Sequence, residues 1–232
     1  MISIIIPTYN EESNIEQCLQ SLSNQSLPRS SYEIIVVDGN SHDRTREIAE
    51  AYADLVFIQT SKKVGGARND GAELSKGDII ATTDADCIIP HNWLARIEAG
   101  FIDPRVVQLY GLVEPIEPGI QHKISLGLAN TFSRLGYYSG TLYYTLGCNT
   151  AFRREAFFEA GQYRTIDAGD DLEIARRMRQ IGCVKLDKNL RVQFSMRRYV
   201  QFGTLKSLYE WVYITAKGGD DETYQYSKRE YK

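Results

Sequence analysis

Apolar and polar positions come in short alternating blocks through the first half of the chain. Residues 2–7, 33–38, 55–60 and 78–84 are brief runs of β-branched and apolar residues, which predict strands buried on both faces. Between them, residues 15–23, 45–52 and 66–74 carry the spacing of helices. Strand and helix in alternation predict a single α/β domain with a mostly parallel central sheet flanked by helices. Ligands of such sheets sit outside the carboxyl ends of the strands. The polar residues just after each strand are therefore the candidates for chemistry.

The second half is less regular. Residues 106–112 and 146–152 predict two further strands, separated by a long segment rich in Gly, Ser and Tyr. A helix follows at 172–181, with Ile174, Met178 and Ile181 on one face and Gly182 as its stop. Residues 204–217, with Leu205, Leu208, Trp211 and Ile214, predict a short amphipathic helix, and 218–232 a polar tail. With no internal repeat and no low-complexity linker, the chain divides into one domain, 1–203, and a C-terminal helix and tail, 204–232.

Composition narrows the function. A net charge of −3 over 232 residues provides no molecule-wide basic field, which disfavours general nucleic-acid binding. The four cysteines form no CxxC pair, so zinc-ribbon and thioredoxin readings lapse and free thiols in a reducing compartment are expected. The opening apolar run is too short for a secretory signal, and no stretch reaches the length needed to span a bilayer. A cytoplasmic protein is expected. The 204–217 helix is a candidate for peripheral membrane contact, for a homo-oligomer contact, or for folding back onto the domain.

The first turn is Pro7-Thr8-Tyr9-Asn10-Glu11-Glu12, without the glycines of a dinucleotide-binding loop, and a P-loop lysine motif is absent. Phosphate must be handled otherwise, and a metal is the natural means. Asp84-Ala85-Asp86 ends the fourth predicted strand, where both carboxylates can reach one cavity. Two hard oxygen ligands suit Mg²⁺ or Mn²⁺, which share coordination with substrate phosphates. Asp38 ends the second strand and can accept hydrogen bonds from a base or ribose; alternatively it stabilises the turn with Ser41. Arg68 stands in a small-residue turn, Gly65 to Gly71, as a phosphate partner or an exposed side chain. Asp170-Asp171 opens a helix, where carboxylates serve either the helix terminus or general-base chemistry.

The order of these pieces resembles the inverting family 2 glycosyltransferases with the GT-A fold. The resemblance rests on Pro7–Glu12, Val36–Asp43, Gly66-Ala67-Arg68-Asn69, Asp84-Ala85-Asp86, Gly147-Cys148-Asn149 and Asp170-Asp171-Leu172-Glu173, and covers roughly residues 1–200. It implies that Pro7, Thr8, Tyr9 and Glu11 line a nucleotide-sugar pocket with Asp38, Arg68, Asp84 and Ala85. It implies Asp86 as metal ligand with Asp84 facing the ribose or metal, Asn149 near the donor sugar or acceptor, and Asp171 as catalytic base beside Asp170. The implied reaction moves one sugar from a nucleotide-sugar, UDP-linked by family habit ahead of GDP-linked, to a lipid-linked or glycan acceptor. The Gln-x-x-Arg-Trp motif of processive synthases is missing, and the histidines at 42, 91 and 122 come too early to supply a late metal ligand. Arg197 and Arg198 are read either as diphosphate or acceptor contacts or as a solvated basic turn. The aromatic segment 126–146, with Phe132, Tyr137, Tyr138, Tyr143 and Tyr144, is expected to form a partly mobile acceptor-binding segment or to pack as core beneath an irregular loop. A sugar-nucleotidyltransferase and a non-catalytic nucleotide-sugar-binding module are the competing readings. The first lacks its glycine-rich basic loop, and the second has to explain why Asp38, Asp86 and Asp171 are all present.

Overall fold

The computed structural model describes residues 1–140 and 145–203, together with Tyr213. Strand β1 (Ile2–Thr8) leads through helix α1 (Ile15–Ser23) to β2 (Tyr32–Asp38), and helix α2 (Thr45–Glu50) leads to β3 (Leu55–Ile58). Helix α3 (Lys63–Leu74) precedes β4 (Ile79–Thr82), the two-residue β5 (Cys87–Ile88) and helix α4 (Trp93–Gly100). Then come β6 (Val106–Pro115), α5 (Ile120–Ser139), β7 (Thr150–Arg153) and α6 (Arg154–Glu159). Helix α7 (Asp170–Ile181), strand β8 (Cys183–Phe194) and the short helix α8 (Arg197–Phe202) complete the described chain.

The strands form one eight-stranded sheet in the order β3-β2-β1-β4-β7-β6-β8-β5. β1 to β4 pair in parallel, as the alternation of strand and helix predicts. β7 runs antiparallel between β4 and β6, while β6 and β8 are parallel again. Alternate residues of the central strands feed two cores. Ile4 and Ile6 of β1 pack with Ile15, Leu19 and Leu22 of α1 and with Trp93 and Leu94 of α4. Ile5 faces the opposite way, toward Ala67 and Ala72 of α3 and Leu172, Ile174 and Met178 of α7. Side chains on successive strand residues point to opposite faces, so a continuous apolar run is what a doubly covered strand requires.

The pairing of β1 with β4 stops at Ile5 and Thr82, whereas β1 stays paired with β2 as far as Thr8 and Asp38. Pro7 therefore lies where β4 has already left, and its missing N–H removes no bond to β4. The two strands part at the carboxyl edge of the sheet, where sheets of this kind form their ligand crevice.

Several expectations are corrected. β3 is a four-residue edge strand with partly or fully exposed positions, not one buried on both faces, because it has only β2 as a neighbour. The small-residue turn 65–71 lies inside α3, which starts at Lys63. Its glycines serve close packing: a Cβ at Gly71 would meet Ile5 and Val37. The strand expected at 146–152 is a 3₁₀ turn, Gly147–Asn149, followed by β7. The segment expected as a loop is mostly helical, because α5 continues to Ser139 and stops at Gly140 in the left-handed conformation. Tyr137 of α5 packs against the core and Tyr138 is exposed, while Tyr143 and Tyr144 lie outside the described residues. The helix and tail expected over 204–232 also lie outside them, Tyr213 excepted. Strand β8, with twelve residues, has no counterpart in the pattern of the sequence. Its inner residues Val184, Leu186, Leu190 and Val192 are buried, but polar positions interrupt the alternation.

Candidate active site

The carboxyl ends of β1, β2 and β4 carry Thr8, Asp38 and, two residues past its strand, Asp84. The loops that follow β1 and β2 are tied to each other by hydrogen bonds. The amides of Asn10, Glu11 and Glu12 donate to Ser41 Oγ at 2.9 Å, Thr45 Oγ1 at 2.8 Å and Asp43 Oδ2 at 3.1 Å. In return Asn10 Oδ1 accepts from the His42 amide at 2.9 Å, and Glu12 Oε2 accepts from the Arg44 amide at 3.0 Å. Asn10 and Asn40 have φ values of 52° and 68°, a region that asparagine tolerates better than most residues. Much of the polarity of the first two motifs is thus spent on fixing the two loops.

Asp38 is fully buried. Its carboxylate accepts from the Ser41 amide at 2.8 Å and the Ser41 hydroxyl at 2.5 Å, with Arg46 Nε at 3.6 Å. This is the turn-stabilising role weighed above. Pro7 is partly buried within β1, and Tyr9 is 42% exposed at the rim. The hydroxyls of Thr8 and Thr83 are buried and find no hydrogen-bond partner among the described residues. Unsatisfied buried hydroxyls are uncommon, and these two stand at the ends of the two strands that diverge.

Asp84, Ala85 and Asp86 form a β-turn, closed by the Cys87 amide donating to the Asp84 carbonyl at 3.2 Å. Ala85 is buried, and the carboxylates on either side point to different cations. Asp84 Oδ1 accepts from Arg68 Nη2 at 3.0 Å. Asp86 Oδ2 lies 3.3 Å from Arg197 Nη2, and the same guanidinium pairs with Glu11. Arg197 is therefore part of the site and not a solvated basic residue.

Arg68 is the hub. It is 3% exposed, and its Nη1 lies 3.3 Å from both Asp170 Oδ2 and Asp171 Oδ1. The ring of Tyr163 lies 5.4 Å from its guanidinium carbon, and the Gly147 backbone covers it so closely that a Cβ there would overlap it. Burial works against its charge, yet Asp171, Asp84, Tyr163 and Asp170 hold the guanidinium protonated well above its ordinary range. Arg68 is thus an internal counter-ion for three carboxylates delivered by separate segments, and not an exposed side chain on a turn.

The two aspartates at the start of α7 differ. Asp170 is buried, and burial raises its carboxyl against the pull of Arg68. The side chain of Asp171 keeps 24% exposure, so it can meet a ligand. Burial, then the charge of Asp170, raise the Asp171 carboxyl to about 8, with Arg68 opposing. Thr145 Oγ1 donates to the Asp171 carbonyl at 2.7 Å, which ties the loop before Gly147 to α7.

Asn149 sits elsewhere than expected. It is fully buried: its Oδ1 accepts from Trp93 Nε1 at 2.9 Å, and its Nδ2 donates to the carbonyls of Leu112 at 2.8 Å and Leu190 at 2.9 Å. Both amide hydrogens are spent on joining β6 to β8, which makes Asn149 a bracket of the sheet. Sequence reasoning passed over Thr83 and Tyr163. Neither stands in a recognisable motif, and only the fold brings them to Arg68 and the crevice.

The donor set at the turn suits a hard divalent cation. Among the described residues, no group of three or more His, Cys, Asp or Glu is arranged to hold a metal alone. Asp84 and Asp86 would therefore need phosphate and water oxygens to complete a coordination shell, which is how Mg²⁺ is commonly bound at substrate phosphates.

A mostly parallel sheet with an antiparallel return and acidic residues at its carboxyl edge is the arrangement that the resemblance to the GT-A fold implies. Residues 3–160 match the family model described as Glycosyl transferase family 2, and the chain belongs to that family. It is 44% identical over 101 residues to "Glycosyltransferase AglE" of Haloferax volcanii, which covers 41% of this chain and 33% of that protein. The chain thus spans about a third of the length of that curated relative. The solved structure of S. aureus TarS 1–349 in complex with UDP-GlcNAc superposes with a TM-score of 0.68 at 20% identity, covering 84% of this chain and 58% of that one. The mannosyltransferase PcManGT of Pyrobaculum calidifontis, in complex with GDP-Man and Mn²⁺, gives 0.66 at 25% identity, covering 83% and 56%.

Proposed function

We propose that this chain transfers one sugar, with inversion, from a nucleotide-sugar to a lipid-linked or glycan acceptor. The observation that carries the reading is the convergence on Arg68 of Asp84, from the turn after β4, with Asp170 and Asp171, from the start of α7. The donor's nucleotide would occupy the crevice between β1 and β4, where the Thr8 and Thr83 hydroxyls await partners. A Mg²⁺ or Mn²⁺ ion held by Asp86, with Asp84 beside it, would neutralise charge on the departing nucleoside diphosphate.

Asp171 is the general base of this reading. It is the more exposed carboxylate of its pair, and a raised carboxyl is better matched to taking a proton near neutrality than an ordinary aspartate. It removes the proton of the acceptor hydroxyl while that oxygen bonds to the anomeric carbon and the bond to the diphosphate breaks. One displacement inverts the configuration. An acceptor that is already an ionised phosphate needs no such base, and Asp171 then serves mainly to position Arg68. A UDP-sugar is favoured by family habit, and a solved neighbour of the same fold holds UDP-GlcNAc while another holds GDP-Man with Mn²⁺.

Titration calorimetry with UDP, GDP and their sugar conjugates, with and without Mn²⁺, tests the reading. Metal-dependent binding of one nucleotide class, lost in Asp86→Ala, is expected. Folded protein that binds none of them would refute the donor site.

A further inference from the structure

Helix α5 has an unusual outer face. Ile120, Ile124, Leu128, Phe132, Leu135 and Tyr138 recur at three- and four-residue spacing, and each is more than half exposed. The opposite face is the one that packs. Leu126 and Ser133 are buried there, and the Asn130 side chain holds Val113 of β6 through both its amide and its carbonyl, at 3.1 and 2.8 Å. A helix laid on a sheet ordinarily turns polar residues to solvent. Here the solvent side is apolar over five turns, beyond the scattered single residues that a soluble surface tolerates.

The flank of this face is basic. α5 contains Lys123 and Arg134 and no acidic residue. Both line a groove of about 440 Å³ with Arg191 of β8 and with Glu114, which is paired to Arg191 at 2.6 Å. Arg134 Nε is buried and finds no hydrogen-bond partner among the described residues. Lys188 lies 5.0 Å from the ring centre of Tyr138, at the far end of the helix. An apolar stripe flanked by cations is the composition of a helix that lies in a bilayer interface.

We propose that α5 docks the domain onto an anionic bilayer surface, with the apolar stripe in the acyl boundary and Lys123 and Arg134 at lipid phosphates. Two observations favour a bilayer over a second copy of the chain. A two-fold contact through α5 would bring the Lys123 and Arg134 sets of both copies together with no carboxylate on either helix to offset them. The chain as a whole carries a net charge of −3, so a basic strip confined to one face orients that face toward an anionic surface. No described helix is long and apolar enough to cross a membrane, so α5 lies along the surface. The face also begins next to the site: Glu117, just before α5, accepts from Ser195 Oγ and from the Met196 amide, both at 2.7 Å, immediately before Arg197. Docking here does not depend on the donor reading.

Co-sedimentation of the full chain with phosphatidylcholine vesicles, with and without phosphatidylglycerol, tests it. Binding to the anionic vesicles is expected, lowered about tenfold or more by Leu128→Glu with Phe132→Glu. Because both side chains are exposed, thermal stability should hold. Lys123→Gln with Arg134→Gln should weaken binding by about fivefold per residue and remove the preference for phosphatidylglycerol. Absence of vesicle binding would overturn the proposal. So would binding that the α5 variants leave unchanged, which would assign it to another part of the chain. A dimer in sedimentation velocity that Leu128→Glu with Phe132→Glu dissolves, without vesicle binding, would overturn it in favour of self-association.

Discussion

The first hundred residues and the next hundred build the site in different ways. In the first, parallel strands and short crossovers leave Thr8, Asp38 and Asp84 at one sheet edge because consecutive strands all end there. Its loops are fixed locally, by bonds such as Asn10 to Ser41 and Glu11 to Thr45. In the second, β7 runs back antiparallel, and Asp170, Asp171 and Arg197 reach the same edge from helix starts far along the chain. At the acidic edge the halves meet through ion pairs of Arg68 with Asp170 and Asp171, and of Arg197 with Glu11 and Asp86. The first half supplies a rigid edge, and the second supplies charges whose positions depend on pairing.

Removing Arg68 breaks that arrangement most severely. Arg68→Met takes the counter-ion from a buried cluster of three acidic side chains, a loss on the order of 3–5 kcal/mol. Thermal denaturation at neutral pH checks it; a change under 1 kcal/mol would mean that the carboxylates do not need the hub. Asp171→Asn keeps the size of the side chain and removes the base. Transfer to a hydroxyl acceptor should fall by roughly 10²–10⁴-fold with nucleotide affinity retained. Parallel losses of binding and turnover would instead make Asp171 a structural member of the cluster.

Gly147→Ala sharpens the comparison at the point where the halves touch. The added methyl would collide with the Arg68 guanidinium and cost about 1–3 kcal/mol. An unaffected melting temperature would show that Arg68 can shift without penalty.

A further effect concerns pH. The Asp171 carboxyl titrates at about 8 in the folded chain against an ordinary value of 3.8, so the folded state holds the proton more tightly. Its contribution to stability is complete below the lower value and is lost as pH climbs through the higher one. Asp171→Asn cannot lose it. Above about pH 8 the variant should melt higher than the parent, and the gap should close toward pH 4. An equal gap at both ends would remove Asp171 from the account. In the parent, turnover on a hydroxyl acceptor should rise with pH up to about 8, as the base loses its proton.

Much of the first half was legible because its strands are buried on both faces and its crossovers are short, so local pattern and final structure agree. β3 was misread on one count, since an apolar run does not reveal that its strand has a single neighbour. The glycines around Arg68 suggested a turn, whereas close packing uses them inside a helix, Gly71 against Ile5 and Val37 and Gly65 against Tyr163 and Arg164. The second half hid more. Its aromatic and glycine-rich segment has helical periodicity, but on the outer face, where polar residues are the usual signal. β8 owes its strand to pairing with β6 across some eighty residues, and no local pattern encodes that.

The order of motifs, the acidic residues and the absence of a phosphate-binding glycine loop were fixed by the chain itself, since they follow from side-chain identity and local spacing. Which of those residues face a ligand was decided only by tertiary structure. Asp38 and Asn149 turned inward to hold a turn and two strands, Arg68 was buried among three carboxylates, and Arg197 was drawn to Glu11 and Asp86. The physical reason is burial: a charged or amide group removed from water must satisfy its hydrogen bonds wherever the fold places partners. For Asn149, Arg68 and Arg197 those partners lie from sixteen to more than a hundred residues away in sequence, whereas Asp38 finds Ser41 three residues on.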